Sequence, residues 1–185
     1  GDLLLRTNNE FPGWQIMEKM FFKSNWTHES LYMGNNKVAE GNNGETFKAQ
    51  SSLEKYLDAY HITLVRPHYK SEEDKQSAIQ YMLNANGRPY DNKLDSNDES
   101  ALYCSEAVYH AFRKMPHPIN LTPKKAITGQ KIVSPDEVLH RNDFSQLWSS
   151  KSNFWKNQLS HWPIGAGTLT GASAATTLGR LFANE

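Results

Sequence analysis

Leu102-Tyr103-Cys104-Ser105-Glu106-Ala107-Val108-Tyr109-His110-Ala111-Phe112 places the chain's one cysteine at the mouth of a strongly patterned segment. Counted from Cys104, apolar side chains return at Ala107, Val108, Ala111, Phe112 and Met115, the spacing of one helical face. Asp98, Glu99 and Ser100 carry capping chemistry upstream, so the sequence predicts a helix that starts near Ser100 and ends before Pro116. Cys104 then lies in the first turn or two, on the core-facing stripe. A thiol there feels the positive end of the helix dipole and free backbone N–H groups, which favour the thiolate and can hold an oxyanion. The competing reading is a buried structural cysteine, a common fate of a free thiol.

At 185 residues the chain has the length of one domain with a sizeable core. Its 20 basic and 20 acidic residues balance, and no block of like charge is long enough for a nucleic-acid arm, which argues against generic nucleic-acid binding. One cysteine makes no internal disulfide and fixes no redox compartment. No apolar run reaches the ~18 residues of a transmembrane helix. Residues 1–6 already read as a strand with no signal peptide before them, so a removed leader is an expectation.

Residues 14–22 have apolar side chains (Trp14, Met17, Phe21) at the spacing of a short helix. In residues 26–33, His28, Ser30 and Tyr32 alternate with Glu29, Leu31 and Met33 in the period of a strand. Gly34-Asn35-Asn36 signals a hairpin turn, and residues 37–40 return as the partner strand. Residues 51–59 predict a short helix and residues 60–66 a strand stopped by Pro67. Ser71-Glu72-Glu73-Asp74 is a capping-box start for a helix with Ile79, Met82 and Leu83 on its apolar face, ended by Asn86-Gly87-Arg88-Pro89. Ser134-Pro135-Asp136-Glu137 predicts another helix, with serine as cap and the glutamate reaching back, and residues 144–149 a last strand. Residues 165–177, rich in Gly, Ala, Ser and Thr, read as a loosely docked tail. The order of elements is that of an α+β domain, residues 1–150, followed by an extension, residues 151–185.

A cysteine nucleophile needs a base within hydrogen-bond reach and a third group to orient it. Among the 7 histidines, His110 sits four residues from Glu106 and predicts an exposed ion pair with it. His117, His140 and His161 fall in loops, a helix end and the tail, while His61 and His68 bracket a strand. His28 differs, because its partner strand ends in the carboxylate of Glu40. With a three-residue hairpin loop at 34–36, Met33 pairs with Lys37 and Glu40 falls opposite Ser30, on the face of His28 and roughly 7 Å from it diagonally. A two-residue loop turns Glu40 to the other face. Gly34 suits a bulged loop.

Taken in order, Gly1-Asp2-Leu3-Leu4-Leu5, Thr27-His28-Glu29-Ser30-Leu31-Tyr32-Met33-Gly34 with Val38-Ala39-Glu40, Pro89-Tyr90-Asp91 and Tyr103-Cys104-Ser105-Glu106-Ala107-Val108-Tyr109 resemble the YiiX-like permuted papain-like amidases. That branch belongs to the NlpC-type cysteine peptidase superfamily and is related to lecithin:retinol acyltransferase. The resemblance extends to about residue 149 and implies a circularly permuted papain-like fold, an antiparallel sheet packed against helices with the nucleophile at a helix N-terminus. It implies Cys104 as nucleophile, His28 as base and Glu40 as the orienting residue, with Tyr90 and Tyr103 as oxyanion or substrate groups. It further implies a peptide, cell-wall or lipid acyl substrate, no cofactor, and a place in the cell envelope or outside the cell. Two features depart from the pattern: Leu94 stands where an aromatic is usual, and residues 10–25 are longer than a plain strand connection.

The leading expectation is a thiol hydrolase working through an acyl-enzyme. An acyltransferase on lipid substrates and a noncatalytic binding module on the same fold are the alternatives. One cysteine and no close-spaced histidine pair argue against a metal site.

Overall fold

Three successive leucines, Leu3, Leu4 and Leu5, are all fully buried, which requires a strand covered on both faces. The computed structural model describes residues 1–7, 26–59, 61–125 and 129–150. In chain order these form β1 (Leu3–Thr7), β2 (His28–Gly34), β3 (Lys37–Glu40), β4 (Lys48–Ser52), α1 (Leu53–Tyr56), β5 (His61–Pro67), α2 (Glu72–Ala85) and α3 (Cys104–Arg113). Short strands β6 (Lys124–Lys125) and β7 (Lys131–Ile132), a 3-10 turn (Pro135–His140) and β8 (Phe144–Ser149) complete them. The main sheet is antiparallel, in the order β4-β3-β2-β1-β5-β8, and β6 pairs with β7 separately. Leu3, Leu5, Leu31 and Val65 pack on Ala78 and Met82 of α2 and Val108 and Phe112 of α3. Leu4, Tyr32, Val38 and Leu64 face Leu53 and Tyr56 on the other side. This is the expected α+β arrangement of an antiparallel sheet packed against helices.

The hairpin departs from expectation in its loop and keeps the expected register. Its turn has two residues, Asn35 and Asn36, both in the left-handed region (φ 50° and 56°), and Gly34 pairs with Lys37. A bulge between Tyr32 and Gly34 then absorbs Met33, so that Tyr32 pairs with Val38 and Leu31 with Ala39. Continuing this register puts Glu40 across from Ser30. The extra residue therefore sits in the strand rather than in the turn.

The helix of Cys104 starts four residues later than the sequence predicts. Asp98 does not cap it, because its carboxylate accepts the Ser100 N–H (2.9 Å), and Leu102 N–H is taken by the Pro89 carbonyl (2.9 Å). The predicted α-helix at Ser134 is a 3-10 turn. Ser134 donates its hydroxyl to the Asp136 carboxylate, and Glu137 accepts from Thr122 N–H (3.3 Å) instead of reaching back. β4 was not expected; it is an edge strand, and its Lys-Ala-Gln-Ser-Ser sequence lacks the apolar alternation of inner strands. The helix foreseen at residues 51–59 shrinks accordingly to α1. At α2 the capping box is as read: Asp74 N–H donates to Ser71 Oγ (3.2 Å) and Ser71 N–H to the Asp74 carboxylate (3.0 Å). The helix expected at residues 14–22 and the tail at 165–177 lie outside the described residues. No helix among the described residues is long and apolar enough to cross a membrane.

The hairpin turn is directly testable. Asn tolerates the left-handed region and a β-branched residue does not, so Asn36→Val is expected to destabilise the fold by about 1–2 kcal/mol in urea titration. An unchanged midpoint would contradict the turn.

Candidate active site

Because α3 begins on Cys104, with Tyr103 as its N-cap, the thiol stands at the helix end where first-turn amides have no intrahelical acceptor. Three contacts fix that end. Tyr103 N–H donates to the buried Glu106 carboxylate (3.1 Å), and the Tyr103 hydroxyl accepts Val133 N–H (2.7 Å). Gly41, just past β3, lies so close that a Cβ there would stand 3.2 Å from the Leu102 carbonyl oxygen. The chain leaving Glu40 thus runs directly against the entry to the cysteine helix.

His28 opens β2, and its Nε2 lies 3.1 Å from Oε2 of Glu40, both side chains buried. The Cys104 thiol neighbours the same ring, and the two groups act on each other's ionisation. Ser105 Oγ lies 3.8 Å from Sγ, within hydrogen-bond reach of the sulfur, and the backbone N–H of Glu29 favours its ionised form. The structure therefore gathers Cys104, His28 and Glu40 in one line.

Electrostatics favour the ionised form of all three. Burial opposes charge on His28, but the Cys104 thiolate and the bond to Glu40 outweigh it and raise its pKa to about 9. Burial likewise opposes charge on Glu40, and the His28 hydrogen bond and charge, joined by Ser51 and Arg6, bring its pKa down to about 2. Burial pushes the Cys104 thiol up, while the charge and hydrogen bond of His28 pull it below its ordinary value.

Tyr103, Cys104 and Ile132 form a small buried cluster with Tyr90 and Leu94 packed against it. Tyr90 thus packs against the cluster that contains Cys104, while the Tyr103 hydroxyl is committed to Val133 and Ser96. The other histidines engage elsewhere: His61 stacks on Trp26, His68 meets Ser145, His117 meets Asp74 and His140 meets Asp136. His161 lies outside the described residues. The expected exposed His110–Glu106 pair is instead buried, with His110 3.6 Å from Glu106 and 3.4 Å from Glu99. The helix is covered on that side, which single-helix periodicity does not reveal.

Sequence reasoning missed Arg6, Ser51, Ser105 and the side chain of Glu29. Arg6 Nη2 stands 3.6 Å from Glu40, donates from Nη1 to the Tyr56 carbonyl (3.2 Å) and stacks on the Tyr56 ring (4.3 Å). Arg6 pairs directly with His28 across β1 and β2, so strand alternation would have found it once that nonlocal pairing was known. Among the described residues, no group of three or more His, Cys, Asp or Glu is gathered as a metal ion would need.

Comparison with known proteins places this geometry in context. The crystal structure of the metalloprotein YiiX from Escherichia coli O157:H7 is similar in fold, with a TM-score of 0.66 over 80% of this chain and 95% of that one, at 16% identity. No curated protein sequence matches. The family model of the permuted papain-like amidase enzymes YaeF/YiiX, C92 family, matches residues 1–159, and the chain belongs to that family.

Proposed function

We propose that the protein is a thiol hydrolase of amides in which Cys104 is the nucleophile, His28 the general base and acid, and Glu40 the group that orients His28. The observation that carries the reading is the buried hydrogen bond of His28 to Glu40, with the Cys104 thiol at the N-terminus of α3 beside the same imidazole. The Cys104 thiolate attacks the substrate carbonyl carbon, and the carbonyl electron pair moves to oxygen, where first-turn amides of α3 stabilise the charge. Collapse breaks the C–N bond as imidazolium His28 gives its proton to the departing amine, leaving a thioester. Neutral His28 then takes a proton from water, hydroxide attacks the thioester, and the acid product leaves with the thiolate restored. Glu40 accepts from Nε2–H throughout, fixing the ring so that Nδ1 serves the sulfur.

The walls bear on the substrate. Cys104 belongs to an apolar cluster with Tyr103 and Ile132, against which Tyr90 and Leu94 pack, and such surroundings suit a peptide-type amide with an apolar group on its acyl side. Leu94 is held in the left-handed region (φ 54°). The Asp91 carboxylate enforces this by accepting the N–H groups of Lys93 (2.8 Å) and Asp95 (2.7 Å).

Cys104→Ala is expected to fold as the parent does and to lose hydrolysis of peptide-type amides by at least ~10³-fold. A Cys104→Ala protein that retained full hydrolysis would sink the mechanism. Because the chain has one cysteine, iodoacetamide reports Cys104 alone; rapid alkylation of the folded protein near neutral pH is expected, and reaction only after denaturation would refute an activated thiol.

The pH profile has a sign. Leaving-group protonation needs imidazolium, which His28 keeps through neutral pH and loses above about 9, so activity is expected to fall on the alkaline side there. Stability follows the same sense: the contribution of the His28 charge is complete below its ordinary 6.5 and is lost as pH rises through about 9. Glu40, at about 2, stays ionised across the working range, so the acid limb belongs to Cys104. Glu40→Gln is expected to move the alkaline limb down by about one unit or more. An unmoved limb would deny Glu40 its part.

A further inference from the structure

One carboxyl beside the thiol has no part in that scheme. Glu29 is 1% exposed, and both its side-chain oxygens lack a hydrogen-bond partner that meets full geometry. It lies on the α3 side of β2, paired across the strands with Leu5. The Ser105 hydroxyl neighbours this carboxyl without meeting full hydrogen-bond geometry, and the acidic groups facing it are Cys104 of α3 and Asp136 of the 3-10 turn. His28, its neighbour in β2, is held by Glu40 through Nε2. An ionised carboxylate in this position would be a desolvated charge facing two acidic groups, with the Ser105 hydroxyl as the donor beside it.

Ser105 is the link. It is fully buried, with Oγ 3.8 Å from the Cys104 sulfur, and its one O–H can serve either the sulfur or Glu29. We propose that Glu29 is a positioning residue in its acid form: its O–H donates to Ser105 Oγ, which leaves the Ser105 O–H to donate to the Cys104 thiolate. In the ionised form Glu29 would draw the Ser105 O–H to itself and set a second negative charge beside the sulfur. Burial and the nearby thiolate both push Glu29 well above the ordinary carboxyl range, in keeping with this arrangement. The inference rests on Cys104 being the nucleophile, and it adds two residues that tune the ionisation of the thiol.

The test uses the full chain. The infrared difference spectrum of wild type minus Glu29→Gln at neutral pH is expected to contain the carbonyl stretch of a protonated carboxylic acid; its absence overturns the proposal. With one cysteine, thiolate ultraviolet absorbance titrates Cys104 alone. In Glu29→Gln, where the amide N–H replaces the acid O–H as donor, the thiol midpoint is expected to stay within about 0.3 unit. A fall of about one unit or more would mean that a negative charge had been removed, and refutes the acid form. Ser105→Ala is expected to raise the midpoint by about one unit, with a roughly tenfold slower alkylation below it, and an unmoved midpoint breaks the link through Ser105. Should Ser105→Ala not fold, the Glu29→Gln midpoint and the infrared band still decide. Either failure leaves Cys104 as nucleophile standing, whereas a hydrolytically active Cys104→Ala protein removes that role without touching the infrared result.

Discussion

The buried contact between His28 and Glu40 is the interaction around which the rest is arranged, because removing charge from water is costly unless charge and hydrogen bonds replace the water. The line Cys104–His28–Glu40 taken alone carries two negative charges and one positive. Arg6 supplies the second positive charge, 3.6 Å from Glu40 and itself only 11% exposed at the side chain, so the group as a whole is neutral. This explains why an arginine stands in β1 directly across from the histidine, with its guanidinium on the Tyr56 ring. It also explains why another ionised carboxylate at Glu29 would be poorly tolerated. A charge balance of this kind has no room for an added anion.

Bringing these charges together is a problem of strand register. His28 and Glu40 are 12 residues apart on adjacent strands, and a slip of one position would turn Glu40 to the opposite face. The two-residue turn at Asn35 and Asn36, followed by regular pairing, would produce that slip. The bulge at Met33 cancels it. Gly41 then serves the same end one residue beyond Glu40, because the absence of a Cβ lets β3 meet the entry to α3 at close range. Turn, bulge and glycine each act on the backbone, yet their effect is the placement of two side chains.

This division accounts for what was legible in the sequence. The helix of Cys104, the hairpin and the capped helix at Ser71 depend on local periodicity and local caps, and they were readable. His28 and Glu40, which the structure brings into contact, could be paired because they share a hairpin, where register can be counted. Arg6 and Ser51 were not found, since their nearness to Glu40 depends on which strands become neighbours. The start of α3 was misplaced for a related reason. Asp98 and Glu99 have the chemistry of caps, but Asp98 closes a turn on Ser100, and Glu99 reaches Lys114, Tyr81 and His110 across space. Local propensity does not say which of two competing uses an acidic side chain will take.

The misplacement bears on function. With a start near Ser100, the thiol would lie in the second turn, its amide bonded within the helix and its sulfur one turn away from the positive end of the dipole. Starting on Cys104 exposes the first-turn amides beside the sulfur. The cap that enforces this start is Glu106, which accepts Tyr103 N–H from within the helix. Its buried carboxyl is raised by burial, against the hydrogen bond from Tyr103 N–H and the nearby His110, which stands 3.6 Å from it and 3.4 Å from Glu99. The polar network on the far side of α3 therefore determines where the helix begins, and through that start determines what the thiol can do. The residues around the cysteine are in this sense of two kinds: His28, Glu29 and Ser105 neighbour the thiol, whereas Glu106 and Gly41 fix the end of the helix on which it stands.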